Sequence, residues 1–140
     1  MSDEAAGQRV TQLRLVVEAE DFDEAVAFYR DALGLTEEFY VKSAGGALVM
    51  ALQAGRATLE IVNPAQRRLI DQLEVGREVS RGVRVAFEVS DTPAKTDELV
   101  AAGAELVAAP IETPWRSLNS RLEAPAGLQI TLFEELDDTR

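Results

Sequence analysis

The sequence contains no cysteine and no histidine among its 140 residues. Without cysteine the chain has no disulfide, no thiol nucleophile and no cysteine-ligated metal centre. Without histidine it lacks the commonest metal ligand and the commonest general base. These two absences exclude the usual zinc, iron–sulfur and histidine-dependent chemistries before any motif is considered.

Basic residues and long apolar runs are also scarce. Fourteen Lys and Arg stand against 25 Asp and Glu, which gives a formal net charge of −11. Nucleic-acid binding needs a basic surface, so we expect no nucleic-acid partner. No apolar run reaches the roughly 18 residues of a membrane-spanning helix, and the first residues do not resemble a signal peptide. We therefore expect a soluble cytoplasmic protein with no membrane partner.

The sequence does contain an internal repeat. Arg14 lies in the segment Leu-Arg-Leu-Val-Val-Glu, and Arg84 lies in Val-Arg-Val-Ala-Phe-Glu, half a chain length later. An acidic residue follows each segment, Asp21 in the first copy and Asp91 in the second, and each is followed by a helical stretch that ends at a glycine. A repeat of this length indicates a duplicated structural module.

Each copy has the same order of predicted elements. In the first, residues 12–18 alternate as a strand does, and Asp21 with Glu24 forms a capping box for a helix. The apolar face of that helix is predicted to contain Phe22, Val26, Tyr29 and Leu33. Glycine turns then separate three short strands at about 36–43, 46–53 and 56–62. The second copy repeats the pattern from Val83, with later strands at about 104–109, 117–123 and 127–134.

This order predicts an α+β fold. Two tandem βαβββ modules form curved mixed β-sheets around a cavity, with the helices on the outer face. Between the modules, Asn63-Pro64 begins a connecting helix whose buried side is predicted to be Leu69, Ile70 and Leu73. The predicted divisions are a flexible N-terminus at 1–11, the first module at 12–63, a helical connector at 64–81, the second module at 82–134 and an acidic tail at 135–140.

Strand alternation places four equivalent side chains on the face opposite the helices. Successive side chains of a strand point to opposite faces, so Arg14, Glu60, Arg84 and Thr131 share the inner face. Four apolar residues share it too: Val16, Val62, Ala86 and Phe133. A face that is merely in contact with water remains an alternative. The mixture of apolar and polar residues is more typical of a cavity lining.

Four segments of the sequence resemble a known family. The strand and helix at 13–35, the segment at 86–91, Pro114-Trp115 and the segment at 124–133 are similar to the vicinal oxygen chelate superfamily. That group includes glyoxalase I, extradiol dioxygenases and bleomycin resistance proteins. The resemblance extends over about residues 12–134. It implies the paired βαβββ fold but says little about the chemistry.

The resemblance also draws attention to a departure from the family. In metal-using members the first strand of each module brings a histidine, and the last strand brings glutamate or another ligand. Those positions correspond to Arg14, Glu60, Arg84 and Thr131. A guanidinium has no lone pair to give and repels a cation, so we expect no metal and no cofactor here. Two interpretations stay open: Glu60 pairs with the arginines, or the guanidiniums bind an anionic ligand.

Further residues could complete a ligand site. Trp115 could stack on a flat ligand, with Asn119 or Arg116 nearby, and Phe39 and Met50 lie in the first module. Ordinary packing is the alternative for each of them. The serines have no visible activating partner, and we predict no catalytic residue.

The hypothesis for function is a metal-independent small-molecule binding protein of the bleomycin resistance type, which sequesters an antibiotic or an aromatic or anionic metabolite. The resemblance implies a homodimer in which each pocket takes one module from each chain. One alternative is an enzyme, a glyoxalase- or dioxygenase-like lyase or isomerase with an atypical site. The other is an empty module that serves dimerisation or regulation.

Overall fold

The computed structural model describes residues 9–136 and has the predicted α+β architecture. The parts of the predicted N-terminus and acidic tail at 1–8 and 137–140 lie outside the described residues. The first four strands are β1 (Gln12–Glu18), β2 (Thr36–Ser43), β3 (Ala47–Ala54) and β4 (Ala57–Val62). The other four are β5 (Val83–Glu88), β6 (Glu105–Glu112), β7 (Ser117–Ala124) and β8 (Leu128–Glu135).

Three helical elements accompany the strands. Helix α1 (Phe22–Val26) continues as a π-helical segment (Ala27–Ala32), α2 (Pro64–Glu74) connects the modules, and α3 (Thr92–Ala101) belongs to the second module. As the sequence predicted, Asp21 caps α1 by accepting a hydrogen bond from the Glu24 N–H at 3.0 Å. No helix in the described part of the chain is long and apolar enough to cross a membrane.

All eight strands form one mixed sheet, in the order β2-β3-β4-β1-β5-β8-β7-β6. Strands β1 and β4 are parallel, as are β5 and β8, and the other neighbours are antiparallel. The antiparallel pairing of β1 with β5 joins the two modules, so the separate sheets of the prediction are a single curved sheet. The sheet is not closed, and β2 and β6 are its edges.

The outer face carries two apolar cores, one for each module. Under α1, Phe22 and Val26 pack against the side chains of Met50, Leu52 and Ile61. Under α3, the second core contains Val89, Leu122, Ile130 and Leu132. Leu33 was predicted to lie on the apolar face of the first helix. This prediction is wrong, because Leu33 is 60% exposed. The π-helical segment, in which the Leu33 N–H bonds to the Phe28 carbonyl, shifts the helical period and turns Leu33 outward.

Helix α2 lies on the inner face of the sheet and packs against β3, β4 and β7. Asn63 holds its first turn, because Oδ1 accepts from the N–H groups of Gln66 and Leu48 and Nδ2 donates to the Gly46 carbonyl. The predicted buried side, Leu69, Ile70 and Leu73, is only half-buried. The most buried positions of the helix are the polar residues Gln66, Asp71 and Glu74. For Asp71 and Glu74 the reason is Arg121 on the inner face of the sheet, which donates to both carboxylates.

Candidate functional site

A cavity of about 460 Å³ lies on the inner face of the sheet. Its floor comes from the central strands, and its walls come from α2, from β2, and from the turn between β6 and β7 together with the start of β7. The four positions that alternation placed together, Arg14, Glu60, Arg84 and Thr131, all line it. The residues therefore meet as the repeat predicted.

Strand register explains why these side chains meet. Val16 on β1 lies beside Glu60 on β4 and beside Arg84 on β5. Two residues further along β5, Ala86 lies between Arg14 on β1 and Thr131 on β8. Residues in register on neighbouring strands point to the same face. Both modules of one chain thus contribute to the same floor.

This arrangement corrects one expectation. The sequence resemblance implied a pocket that takes one module from each of two chains. In the structure, the pairing of β1 with β5 brings both modules of a single chain together around the cavity. The cavity therefore needs no second chain to unite Arg14, Glu60, Arg84 and Thr131.

The other predicted ligand-binding residues divide into two groups. Phe39, Trp115 and Asn119 line the cavity, and Trp115 is 48% exposed at its edge. Met50 does not line it: its side chain is 3% exposed in the core under α1. The physical reason is strand parity, because Met50 pairs with Ile61 on the helix-facing side, whereas its neighbour Val49 faces the cavity.

The turn between β6 and β7 presents Trp115. The Arg116 N–H bonds to the Thr113 carbonyl at 3.0 Å and closes this turn. Arg116 adopts φ = 66°, a left-handed conformation that non-glycine residues rarely occupy. Strained backbone of this kind persists where the surroundings hold it, often beside ligand sites.

Arg14 is held by several groups of the protein. Its Nε donates to Gln12 Oε1 at 2.5 Å, and its two terminal nitrogens lie 3.5 Å from Glu60 and 3.6 Å from Glu135. The guanidinium carbon also lies 5.7 Å from the ring centroid of Phe39 and 5.2 Å from that of Phe133. The ion-pair interpretation is thus realised for Arg14.

Arg84 has a different environment. Its side chain is buried, and Nη1 donates to Thr131 Oγ1 at 2.7 Å. Within residues 9–136 no carboxylate lies within 4.0 Å of this guanidinium. Burial lowers the pKa of Arg84, and the positive charge of Arg121 lowers it further, while Glu74, Glu60 and Asp71 partly offset both effects. The cavity floor therefore contains a desolvated cation without an ion-pair partner among the described residues.

A buried network beside this floor, between β7 and α2, was not predicted from the sequence. Arg121 is fully buried on β7 and donates to Asp71 at 3.1 Å, Glu74 at 2.6 Å, Ser80 at 2.9 Å and Gln129 at 3.0 Å. This network fastens α2 to the second module. A sequence signal existed, since Ser117, Asn119, Arg121 and Glu123 make one face of β7 polar along its whole length.

Two carboxylates of α2 take part in the network. Glu74 also accepts a hydrogen bond from Asn119 Nδ2 at 2.7 Å, so both of its oxygens have partners. Burial alone would raise the pKa of Asp71, but hydrogen bonds from Ser80, Val79 and Arg121 outweigh it and hold the pKa below its usual value. Asn119 and Glu74 are thus engaged with protein groups at the cavity wall.

Comparison of the sequence with models of known protein families identifies the family of this chain. A family model described as a glyoxalase-like domain matches residues 14–133. The chain belongs to this family, within the glyoxalase, bleomycin resistance and dioxygenase superfamily, also called vicinal oxygen chelate. Comparison with curated proteins gives no match.

Solved structures with the same fold include two epimerases. Methylmalonyl-CoA epimerase from Mycobacterium tuberculosis has a TM-score of 0.67 and 21% identity, and the match covers 93% of this chain and 91% of that one. A variant of methylmalonyl-CoA epimerase from Streptomyces coelicolor, in complex with 2-nitronate-propionyl-CoA, has a TM-score of 0.67 and 18% identity, and the match covers 92% and 100%. A superfamily member from Vibrio splendidus has a TM-score of 0.59 and 13% identity over 88% and 97%.

The cavity residues do not fit the metal that this superfamily implies. Two of the four equivalent positions are guanidiniums, which repel a cation and donate no lone pair. Glu60 and Thr131 supply the only ligand oxygens of the set. In the part of the chain that the structure describes, no group of three or more His, Cys, Asp or Glu side chains could hold a metal ion.

Proposed function

We propose that the protein is a metal-independent binding protein whose cavity takes a small anionic molecule at Arg84. The observation that carries this proposal is the environment of that guanidinium: it is buried, it lines the cavity and within residues 9–136 it has one hydrogen bond, to Thr131. A buried charge without a partner is unfavourable, and a carboxylate that accepts two parallel hydrogen bonds would remove the penalty. Arg14 differs, because Glu60 and Glu135 already compensate its charge.

The residues that line the cavity favour a ligand that carries an aromatic ring beside its anionic group. Trp115, Phe39 and Val41 line the cavity, and the accessible ring of Trp115 offers a stacking surface. An aromatic carboxylic acid satisfies both features. As the physiological role we propose sequestration of such a metabolite or of an antibiotic, as in the bleomycin resistance type.

The proposal is tested with 3-phenylpropionate as the probe. Calorimetric titration is expected to show binding to the wild type and a loss of at least about tenfold in affinity for Arg84→Met. Arg116→Met is the matched control, because Arg116 also lines the cavity but pairs with Glu112 at its rim. Equal affinity of the wild type and Arg84→Met would overturn the proposal.

A second candidate function rests on Glu60. Its carboxylate lines the cavity, and Arg14 at 3.5 Å is its ion-pair partner in the described chain. Such a carboxylate could accept a proton from the carbon beside a carbonyl, while Arg84 stabilises the resulting enolate-type anion. This would be a lyase or isomerase. Methylmalonyl-CoA incubated with the protein in D₂O would then incorporate deuterium, and Glu60→Gln would abolish the exchange.

We also propose a homodimer formed through the outer face. The two halves of this face are covered by α1 and α3, but apolar side chains of the central strands are accessible: Leu13 is 38%, Leu15 37% and Val83 49% exposed. An uncovered apolar strip is typical of a subunit interface. In such a dimer each cavity would belong to one chain.

A further inference from the structure

The cavity floor presents opposite charges on either side of Val16. Glu60 and Arg84 are both in register with Val16, on the strands that flank β1. Neighbouring strands lie about 4.8 Å apart, so the two α-carbons are separated by about 10 Å. Both side chains line the cavity, and they form no ion pair with each other. The floor thus has one positive and one negative side.

Glu60 retains acceptor capacity on its side of the floor. An ionised carboxylate has two oxygens and about four acceptor sites. Within residues 9–136 its side chain receives one hydrogen bond, from Arg14 Nη1 at 3.5 Å, which is at the limit of such a bond. Arg14 is shared with Gln12 and Glu135, so it satisfies the Glu60 carboxylate only in part.

Gln66 supplies a second acceptor from the cavity wall. Its side chain is only 7% exposed, and it lines the cavity from the first turn of α2. Its Oε1 atom is buried and has no hydrogen-bond donor within the described chain. Buried polar atoms without partners are rare in folded proteins, so this oxygen can accept a donor that the described chain does not supply, from an ordered water or from a ligand.

From these contacts we infer that the ligand is a zwitterion of the amino acid type. Its carboxylate binds Arg84, and its protonated amine binds Glu60 and Gln66. This inference rests on the proposed function, because it assigns the anionic group to the same arginine. It adds a subsite that binds a cationic group. It also fits the equal numbers of basic and acidic side chains that line the cavity: Arg14, Arg84 and Arg116 against Glu60, Glu74 and Glu135.

The test uses three probes that differ in one group each. Phenylalanine has both charges, 3-phenylpropionate lacks the amine, and phenethylamine lacks the carboxylate. Calorimetry on the full chain is expected to show that phenylalanine binds at least about tenfold more tightly than either of the others. Glu60→Gln is expected to remove this preference for the amine, while 3-phenylpropionate binds the variant at least as tightly as the wild type, because Arg14 loses one of its two carboxylate partners.

Gln66→Leu provides an independent variant in case Glu60→Gln disturbs the floor. It is expected to weaken phenylalanine binding severalfold and to leave 3-phenylpropionate unchanged. Circular dichroism verifies that both variants fold as the wild type does.

The possible failures differ from those of the proposed function. If 3-phenylpropionate binds as tightly as phenylalanine and depends on Arg84, the cationic subsite is refuted and the anion site stands. A preference for phenylalanine that survives in both Glu60→Gln and Gln66→Leu would also refute the subsite. If no probe binds, or if Arg84→Met leaves binding unchanged, both proposals fail.

Discussion

Arg84 donates one hydrogen bond to Thr131, over 2.7 Å, and among residues 9–136 this is the only side-chain partner of its guanidinium. The corresponding arginine of the first module, Arg14, has a glutamine, two glutamates and two aromatic rings around it. The two arginines of the repeat therefore have different roles. Arg14 is held in the cavity floor by these protein groups, and Arg84 is the arginine to which we assign the ligand.

The buried Asp71 carboxylate is expected to stabilise the fold in a pH-dependent way. Its pKa lies below the usual value, so its contribution is present above about pH 4, the pKa of an unfolded Asp, and is lost as the pH falls through the folded pKa. Asp71→Asn is expected to cost about 3 kcal/mol at pH 7 and less at pH 2.5, as measured by urea unfolding. Asp31→Asn removes an exposed carboxylate and should change little at either pH. An equal loss for Asp71→Asn at both pH values would contradict this account.

The cap at Asn63 is expected to matter more than an ordinary helix cap. Its side chain makes three hydrogen bonds, which join α2 to the turn before β3. Asn63→Ala should lower the free energy of unfolding by about 2 kcal/mol. Asp91→Ala removes a single bond, to the Ala94 N–H, and should cost about 1 kcal/mol. If urea unfolding gives the two variants equal losses, the bonds to Gly46 and Leu48 contribute nothing measurable.

Trp115 provides a direct optical signal, since it is the only tryptophan of the chain. We expect 3-phenylpropionate to change its fluorescence emission, and Trp115→Ala to lower the affinity by about 1 kcal/mol or more. Acetate has no ring and should bind the variant as it binds the wild type. An unchanged emission spectrum during calorimetrically detected binding would show that Trp115 does not contact the ligand.

The proposed dimer makes a separate prediction. Leu15→Asp places a charge in the middle of the apolar strip and should convert a dimer into a monomer in sedimentation velocity. Leu106→Asp is the control, because Leu106 is similarly exposed but lies on the edge strand β6. Since the cavity is built within one chain, the monomeric variant should still bind 3-phenylpropionate. A wild type that sediments as a monomer would refute the dimer.

Strand alternation allowed the floor of the site to be predicted from the sequence. In β1 and β5 polar and apolar residues alternate, and a period of two fixes which face Arg14 and Arg84 share. In β3 the only polar side chain is Gln53, near the end of the strand, so the sequence pattern defines the two faces weakly. Met50, which was predicted as a ligand-binding residue, lies in the core under α1.

Other features depend on contacts far apart in the sequence. Arg121 is buried because α2 lies over the inner face, and no local pattern specifies where a connecting helix will pack. For the same reason the burial of Gln66 and Glu74 was not predicted, and Leu69, Ile70 and Leu73 were predicted as the buried side of the helix instead. The π-helical segment after Val26 was also missed, because its sequence keeps helical spacing while the hydrogen bonds shift by one residue.

The central claim is that Arg84 is retained for a ligand and not for the fold. Urea unfolding of the wild type and Arg84→Met, with and without 3-phenylpropionate, tests it most directly. Without the probe, Arg84→Met should be at least as stable as the wild type, because methionine removes a buried charge that has no ion-pair partner in the described chain. With the probe at 100 times its dissociation constant for the wild type, the wild type should gain about 2.7 kcal/mol, and the variant, with an affinity at least tenfold lower, should gain at most about 1.4 kcal/mol. A loss of about 2 kcal/mol or more in the variant without the probe, and an equal gain for both proteins with it, would contradict the claim.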